Sequence, residues 1–177
     1  MQFNLADALV ILGRTPGVVR AMLDGLDDRW TRANYGENTF SPFDVVGHLI
    51  FGDLTDWVMR TRHILEHGSE RPFVPFDRYA QYERDRGKSM AELLDEFAAT
   101  RAAKLEELQS LGLTEADFDR RGEHPELGPV TLRQLLATWV VHDLHHIGQI
   151  AKALARQYTD EVGAWRAYIG ILGNPPA

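Results

Sequence analysis

Thr131-Leu132-Arg133-Gln134-Leu135-Leu136-Ala137-Thr138-Trp139-Val140-Val141-His142-Asp143-Leu144-His145-His146-Ile147-Gly148-Gln149-Ile150 holds both a helix start and three of the seven histidines of the chain. Thr131 followed three residues later by Gln134 is a capping box, in which each side chain serves a backbone N–H that the helix start leaves free. The segment predicts a long helix from there to about Tyr158. Working outward, the same kind of signal recurs. Ser89-Met90-Ala91-Glu92 is a second capping box and opens a helix to about Leu111, with Gly112 as its stop. Ser41-Pro42 pairs an N-cap with proline at the first helical position, and that helix runs to about His67 before Gly68. Leu5 to about Leu26 reads as a first helix, broken near Gly13, with Thr15 capping a second half that begins at Pro16.

Between these lie polar connections. Trp30 to Phe40 reads as a loop, and Arg71 to Arg86, with Pro72 and Pro75, as a loop holding at most one short helical turn. Thr114 to Asp119 fits a single turn. Gly122 to Pro129 reads as a Gly/Pro loop, with the only hint of a strand near Pro129-Val130. Trp165 to Leu172 fits a short terminal helix, and Asn174 to Ala177 a frayed tail. The fold class is therefore all-α: a four-helix bundle with a short extra C-terminal helix and long loops, in one domain over residues 1–177. The connections near 30–40 and 68–88 are long for an up-down bundle. Each serves as a crossover or covers a site.

Composition narrows the chemistry. With 44% hydrophobic and 25% charged residues the chain is that of an ordinary globule. It has no cysteine, which removes disulfides, thiolate nucleophiles and thiolate-held zinc, and fits a cytoplasmic setting. Any metal must be held by His, Asp, Glu and water. The formal net charge of −7, without a Lys/Arg cluster, argues against nucleic acid. No uncharged stretch reaches the roughly 20 residues a membrane helix requires. The start, Met1 to Leu12, lacks a basic region and is interrupted by Asp7, so it reads as helix and not as a signal peptide.

His142 and His146 are four apart, which puts both rings on one helix face with Cβ atoms about 5–6 Å apart. That suits two ligands of one ion, with bonds of about 2.0–2.1 Å to each nitrogen. His145 lies about 100° round the helix from His146 and cannot join them. At this spacing alone, a histidine pair is more often surface decoration or a support to other ligands than a ligand pair. A third ligand has to come from His48, His63, His67 or His124. His48 stands away from its helix's apolar stripe (Phe43, Val46, Ile50, Leu54, Trp57), beside Asp44, Gly52 and Thr55, and faces solvent or a polar cleft. His63 and His67 sit at a helix C-terminus, where histidine complements the dipole without any metal. His124 lies in a loop.

Three pieces together resemble the DinB-like superfamily: Ser41-Pro42-Phe43-Asp44-Val45-Val46-Gly47-His48-Leu49, then Gly128-Pro129-Val130-Thr131-Leu132, then His142-Asp143-Leu144-His145-His146-Ile147-Gly148-Gln149-Ile150. The resemblance implies a four-helix bundle that holds a divalent metal ion through His48, His142 and His146. It also implies a homodimer and an activity in the range of that family, which includes transferases that use bacillithiol or mycothiol.

Three neutral imidazoles leave an ion its full charge and an open position, the arrangement of catalytic sites. Such an ion lowers the pKa of a thiol or of water. The expected function is a metal-dependent transfer of a low-molecular-weight thiol to an electrophile, in stress or detoxification chemistry. A metal-dependent hydrolase and a non-catalytic metal-binding dimer are the alternatives. Zinc or nickel is expected, with iron or copper next. No catalytic side chain is identified beyond what the metal activates. On the face of His142, Thr138 and Gln149 lie within about 40° of it. Gln149 is expected to contact a bound ligand or to make a plain packing contact. Arg156, further along that face, is expected to meet the carboxylate of an acidic thiol or to be solvated. Asp44 orients His48 or simply favours the helix start. Trp57, Trp139 and Trp165 are expected in the core or at an interface.

Overall fold

Pro16 does not break the first helix. The computed structural model describes residues 1–173, and in it α1 runs without interruption over Leu5–Leu23 with Pro16 inside. Proline has no N–H to give the carbonyl four residues earlier. That carbonyl, on Leu12, accepts instead from Nη1 of Arg101 at 3.0 Å. Thr15, expected as an N-cap, is buried within the helix. The local rule is overridden by a donor from another helix.

The remaining long helices start as their side chains dictate. In α3, Pro42–Thr55, Ser41 N–H donates to Asp44 at 2.9 Å while Asp44 N–H donates back to the Ser41 hydroxyl. The same reciprocal bonds open α6, Met90–Ser110, through Ser89 and Glu92, and α7, Leu132–Arg156, through Thr131 and Gln134. The second rod is not one helix. It is interrupted at Asp56 (φ −119°, ψ −79°) and continues as α4, Trp57–His67. Asp56 N–H still reaches Gly52 and Arg60 N–H still reaches the Asp56 carbonyl, so the rod bends without parting.

The four rods are α1, α3–α4, α6 and α7. α1 packs on α6 and α7, and α3 packs on the same two. Rods one and two therefore face each other across the bundle, as do rods three and four. The first connection carries the short helix α2, Asp28–Thr31, and makes one diagonal crossing. The 68–89 connection joins neighbours. Its short helix α5, Ala80–Arg84, packs on α3, and the turn before it covers the bundle side where the histidines lie. The third connection holds a 3-10 turn, Glu115–Asp119, and a hairpin where a loop was expected: β1, Arg121–His124, pairs antiparallel with β2, Gly128–Thr131. Four-residue strands, one with a proline, fall below what alternation can reveal. Gly122 is required there, because a Cβ would lie 2.7 Å from both Ile64 and Phe73. Beyond α7 come two short 3-10 segments, Gly163–Tyr168 and Gly170–Leu172, where a terminal helix was expected. The expected frayed tail at 174–177 lies outside the described residues.

The apolar core falls into two clusters. One gathers Leu12, Trp57, Val58, Leu108, Leu136 and Trp139, the other Val19, Val46, Ile50, Phe97 and Ile150. On every rod a polar residue stands between them: Thr15, Asp53, Arg101 and Asp143, all buried. Arg101 donates to Asp53 through Nε (2.8 Å) and Nη2 (3.0 Å), and to Asp143 through Nη1 (2.5 Å) and Nη2 (3.1 Å). With the Leu12 carbonyl, one guanidinium links all four rods. Among the described residues no helix is long and apolar enough to cross a membrane.

Candidate metal centre

His48 stands near the middle of α3, and His142 and His146 one turn apart on α7, which packs against it. The structure brings these three together. Nε2 of His142 lies 3.1 Å from Nε2 of His48 and 3.1 Å from Nε2 of His146. Two nitrogens on one ion at about 2.1 Å stand roughly 3.0 Å apart at a right angle and roughly 3.4 Å apart in a tetrahedron. The observed spacing falls in that interval.

The protonation of the rings agrees. His146 Nδ1 lies 2.8 Å from Gln149 Oε1. An amide oxygen only accepts, so Nδ1 carries the hydrogen and the Nε2 lone pair points inward. Burial, followed by the neighbouring imidazoles, pushes the His142 pKa down to about 2. Burial and His48 push that of His146 down to about 3. His48 is lowered by burial too, with the Arg78 guanidinium acting in the same direction and the Gln81 side chain opposing. Three neutral rings with converging lone pairs repel one another and suit a shared cation. Among the described residues, this trio is the one His/Asp/Glu group with atoms close enough to share an ion.

The rings open on a cavity of about 380 Å³. Phe40 and Phe76 flank His48, with centroids 5.4 and 5.5 Å away, and Trp57 stands edge-on to His142 at 5.1 Å. Trp57 is thus both core and cavity wall, stacked on Trp139 at 5.8 Å. Asp56, at the bend of the second rod, also lines the cavity. Its Oδ1 lies 2.5 Å from Arg60 Nε, and burial, outweighing that cation, raises its pKa to about 6. Among the described residues, no Ser, Thr, Cys, Lys or Tyr lines the cavity.

A family model described as the DinB superfamily matches residues 11–150. The chain belongs to the DinB superfamily. Two solved structures share its fold. YfiT from Bacillus subtilis, described as a probable metal-dependent hydrolase with an unusual four-helix bundle topology, is 22% identical with a TM-score of 0.73 over 86% of each chain. TT2238, described as a four-helix bundle protein, is 19% identical with a TM-score of 0.56 over 81% of this chain and 95% of its own. No curated protein matches the chain.

The other candidates of this DinB-superfamily chain divide. Gln149 borders the cavity and bonds a ligand-face ring. Arg156 does not reach the cavity: it is exposed at the last position of α7, ten residues beyond His146, about 15 Å along the axis at the helical rise. Thr138 is exposed, on a separate depression of α7. Asp44 serves the capping box and makes no bond to His48. His63 bonds the Arg71 carbonyl, and His124, on β1, accepts from two backbone N–H groups at the cavity mouth. Trp165 is 73% exposed, so it is no core residue. Asp56, Arg60, Phe76, Arg78 and Gln81 were not legible beforehand. The one available signal was Asp56, two helical turns after His48 through Gly52.

Proposed function

We propose that the chain is a metal-dependent enzyme that joins a low-molecular-weight thiol to an electrophile seated in the cavity beside His48, His142 and His146. The convergence of three neutral imidazoles on a walled cavity with no hydroxyl, thiol or amine side chain among its described lining residues carries this reading. A divalent ion, when bound, supplies Lewis acidity that makes a thiol or water a nucleophile near neutral pH. His48, His142 and His146 would hold that ion without neutralising it, and Gln149 fixes the tautomer of His146. Phe40, Phe76 and Trp57 exclude water from one side of the reacting pair, and Asp56 can hold a proton within the cavity. Transfer breaks the S–H bond and forms a carbon–sulfur bond. In a substitution the bond from that carbon to the leaving group breaks and the leaving group takes the proton; in an addition a π or ring bond of the electrophile opens and its other end takes the proton. Electrophile detoxification, in a cytoplasmic homodimer, belongs to the same proposal, as does zinc or nickel as the ion.

Hydrolysis is the second reading, favoured by the description of YfiT as a probable metal-dependent hydrolase. The test incubates metal-loaded protein with bacillithiol, mycothiol or glutathione and an alkylating electrophile. Thiol consumption well above that of His146→Ala is the expected result. Consumption equal to that background removes the transferase reading, and steady turnover of esters or amides installs the hydrolase.

A further inference from the structure

We propose that the cavity holds the carboxylate of a small organic substrate with a flat apolar body, and that Arg78 is the residue that binds it. The inference rests on the reading of this cavity as the reaction site and adds the chemical class of its occupant.

Charge in the cavity is uneven. Two guanidinium groups line it, those of Arg60 and Arg78, against two carboxylates, those of Asp56 and Glu126. Arg60 is committed: its Nε sits on Asp56 and its Nη2 reaches the Val74 carbonyl at 3.4 Å. Arg78 makes no ion pair and no side-chain hydrogen bond among the described residues, although its charge reaches His48. Glu126 is exposed at the rim, beyond ion-pair distance of it. Arg78 is exposed at the cavity edge, so its uncommitted guanidinium is open to an anion arriving from solvent in a chain whose net charge is −7.

The shape selects the rest. The turn before α5 supplies both Phe76 and Arg78 to the cavity lining. Phe76 stands edge-on to His48, and Phe40 lies across from His146 at 6.5 Å with an interplanar angle of 23°. A slot between aromatic rings, with one free guanidinium fork at its mouth, matches a planar apolar body ending in one carboxylate. A cavity of about 380 Å³ limits the occupant to a small molecule.

The probes are phenylacetate and its neutral isostere phenylacetamide, titrated calorimetrically into full-length protein with and without bound zinc. Zinc affinity is measured separately for each variant. The acid is expected to bind roughly tenfold or more tightly than the amide, as a charge-assisted pair requires. Arg78→Gln should erase that preference with zinc affinity unchanged, and Arg78→Lys should keep part of it. Equal binding of acid and amide, or a preference that survives Arg78→Gln, overturns the assignment, the latter because the carboxylate would then be held by the ion itself. Tighter binding of phenyl phosphate than of phenylacetate overturns the carboxylate class. An Arg78-dependent preference in a protein that fails to bind zinc supports the anion site and removes the metal reading instead.

Discussion

Arg101 donates Nη1 to the carbonyl of Leu12, the group that Pro16 leaves without a partner on its own helix. The same guanidinium pairs with both Asp53 and Asp143, one on each rod that bears a histidine of the trio. Arg101→Met therefore strands a carbonyl and two buried carboxylates. Removing one partner of a buried ionic group costs about 3–5 kcal/mol, and chemical denaturation should show a loss of that size. Adding Asp53→Asn and Asp143→Asn to Arg101→Met should recover much of it. A triple variant as unstable as the single one would show that shape, not charge, is what Arg101 contributes.

The pH dependence of the metal-free protein combines two opposed groups. His142 and His146 have folded pKa values of about 2 and about 3, whereas the unfolded chain holds those protons up to about 6.5. Below pH 6.5 the unfolded state thus binds two more protons through these rings, whose contribution falls by roughly 3 kcal/mol per pH unit as pH drops, and His48, lowered by burial, acts with the same sign. Asp53 and Asp56 act the other way. Their folded pKa of about 6 lies above the unfolded value, so acidification from pH 6 toward 4 stabilises the fold through them. The wild type should therefore show a shallow acid limb in this window. The variant His142→Gln/His146→Gln should gain stability relative to wild type as pH falls from 6.5 to 4. Asp56→Asn should lose relative stability over the same range, by about 3 kcal/mol for a shift of about two units. Urea midpoints at half-unit pH steps check both signs, and parallel curves would refute the opposition.

Local signals carry the bundle and part of the site, for a physical reason that the exceptions make plain. Ser41, Ser89 and Thr131 cap helices through bonds spanning three residues, so their neighbours suffice to locate them. His142 and His146 share a helix face by periodicity alone. His48 was tied to them by family resemblance, because pairing of α3 with α7 is a tertiary fact. Pro16 misled because its rule concerns only the chain's own hydrogen bonds, and the rescuing donor sits 85 residues away on α6. Arg78 and Phe76 stayed hidden because a connection's path over the bundle is not written in its composition. Arg156 lay on the right helical face but too far along it, since a face angle says nothing of where a cavity ends.

Gln149 accepts from Nδ1 of His146, and its loss should be read as a loss of ligand orientation. Gln149→Leu is expected to weaken zinc binding roughly 10–100-fold, measured by competition with a chromophoric chelator. Gln149→Glu, which still accepts, should retain most of the affinity. Equal weakening by both would mean that the contact with His146 is incidental.

Gly47 precedes His48, and a Cβ there would sit 2.3 Å from Oδ2 of Asp85, which packs against α3 from just beyond α5. Asp85 is anchored by Arg84 and Lys88, and Gln81 lies 3.8 Å from the same point. Gln81 is buried with neither amide atom bonded, and Nδ1 of His48 is likewise buried and unbonded. The Gln81 side chain acts on the His48 ring, and its Oε1 is the expected acceptor for His48 Nδ1–H, as Gln149 Oε1 is for His146. Gly47→Ala must push this segment off α3. The overpacking should cost about 1–3 kcal/mol and should also lower zinc affinity, because His48 loses its orienting amide. Gln81→Ala, which removes that amide without the clash, should reproduce the fall in affinity with a smaller fall in stability. Full zinc affinity in both variants would place α5 outside the machinery of the centre.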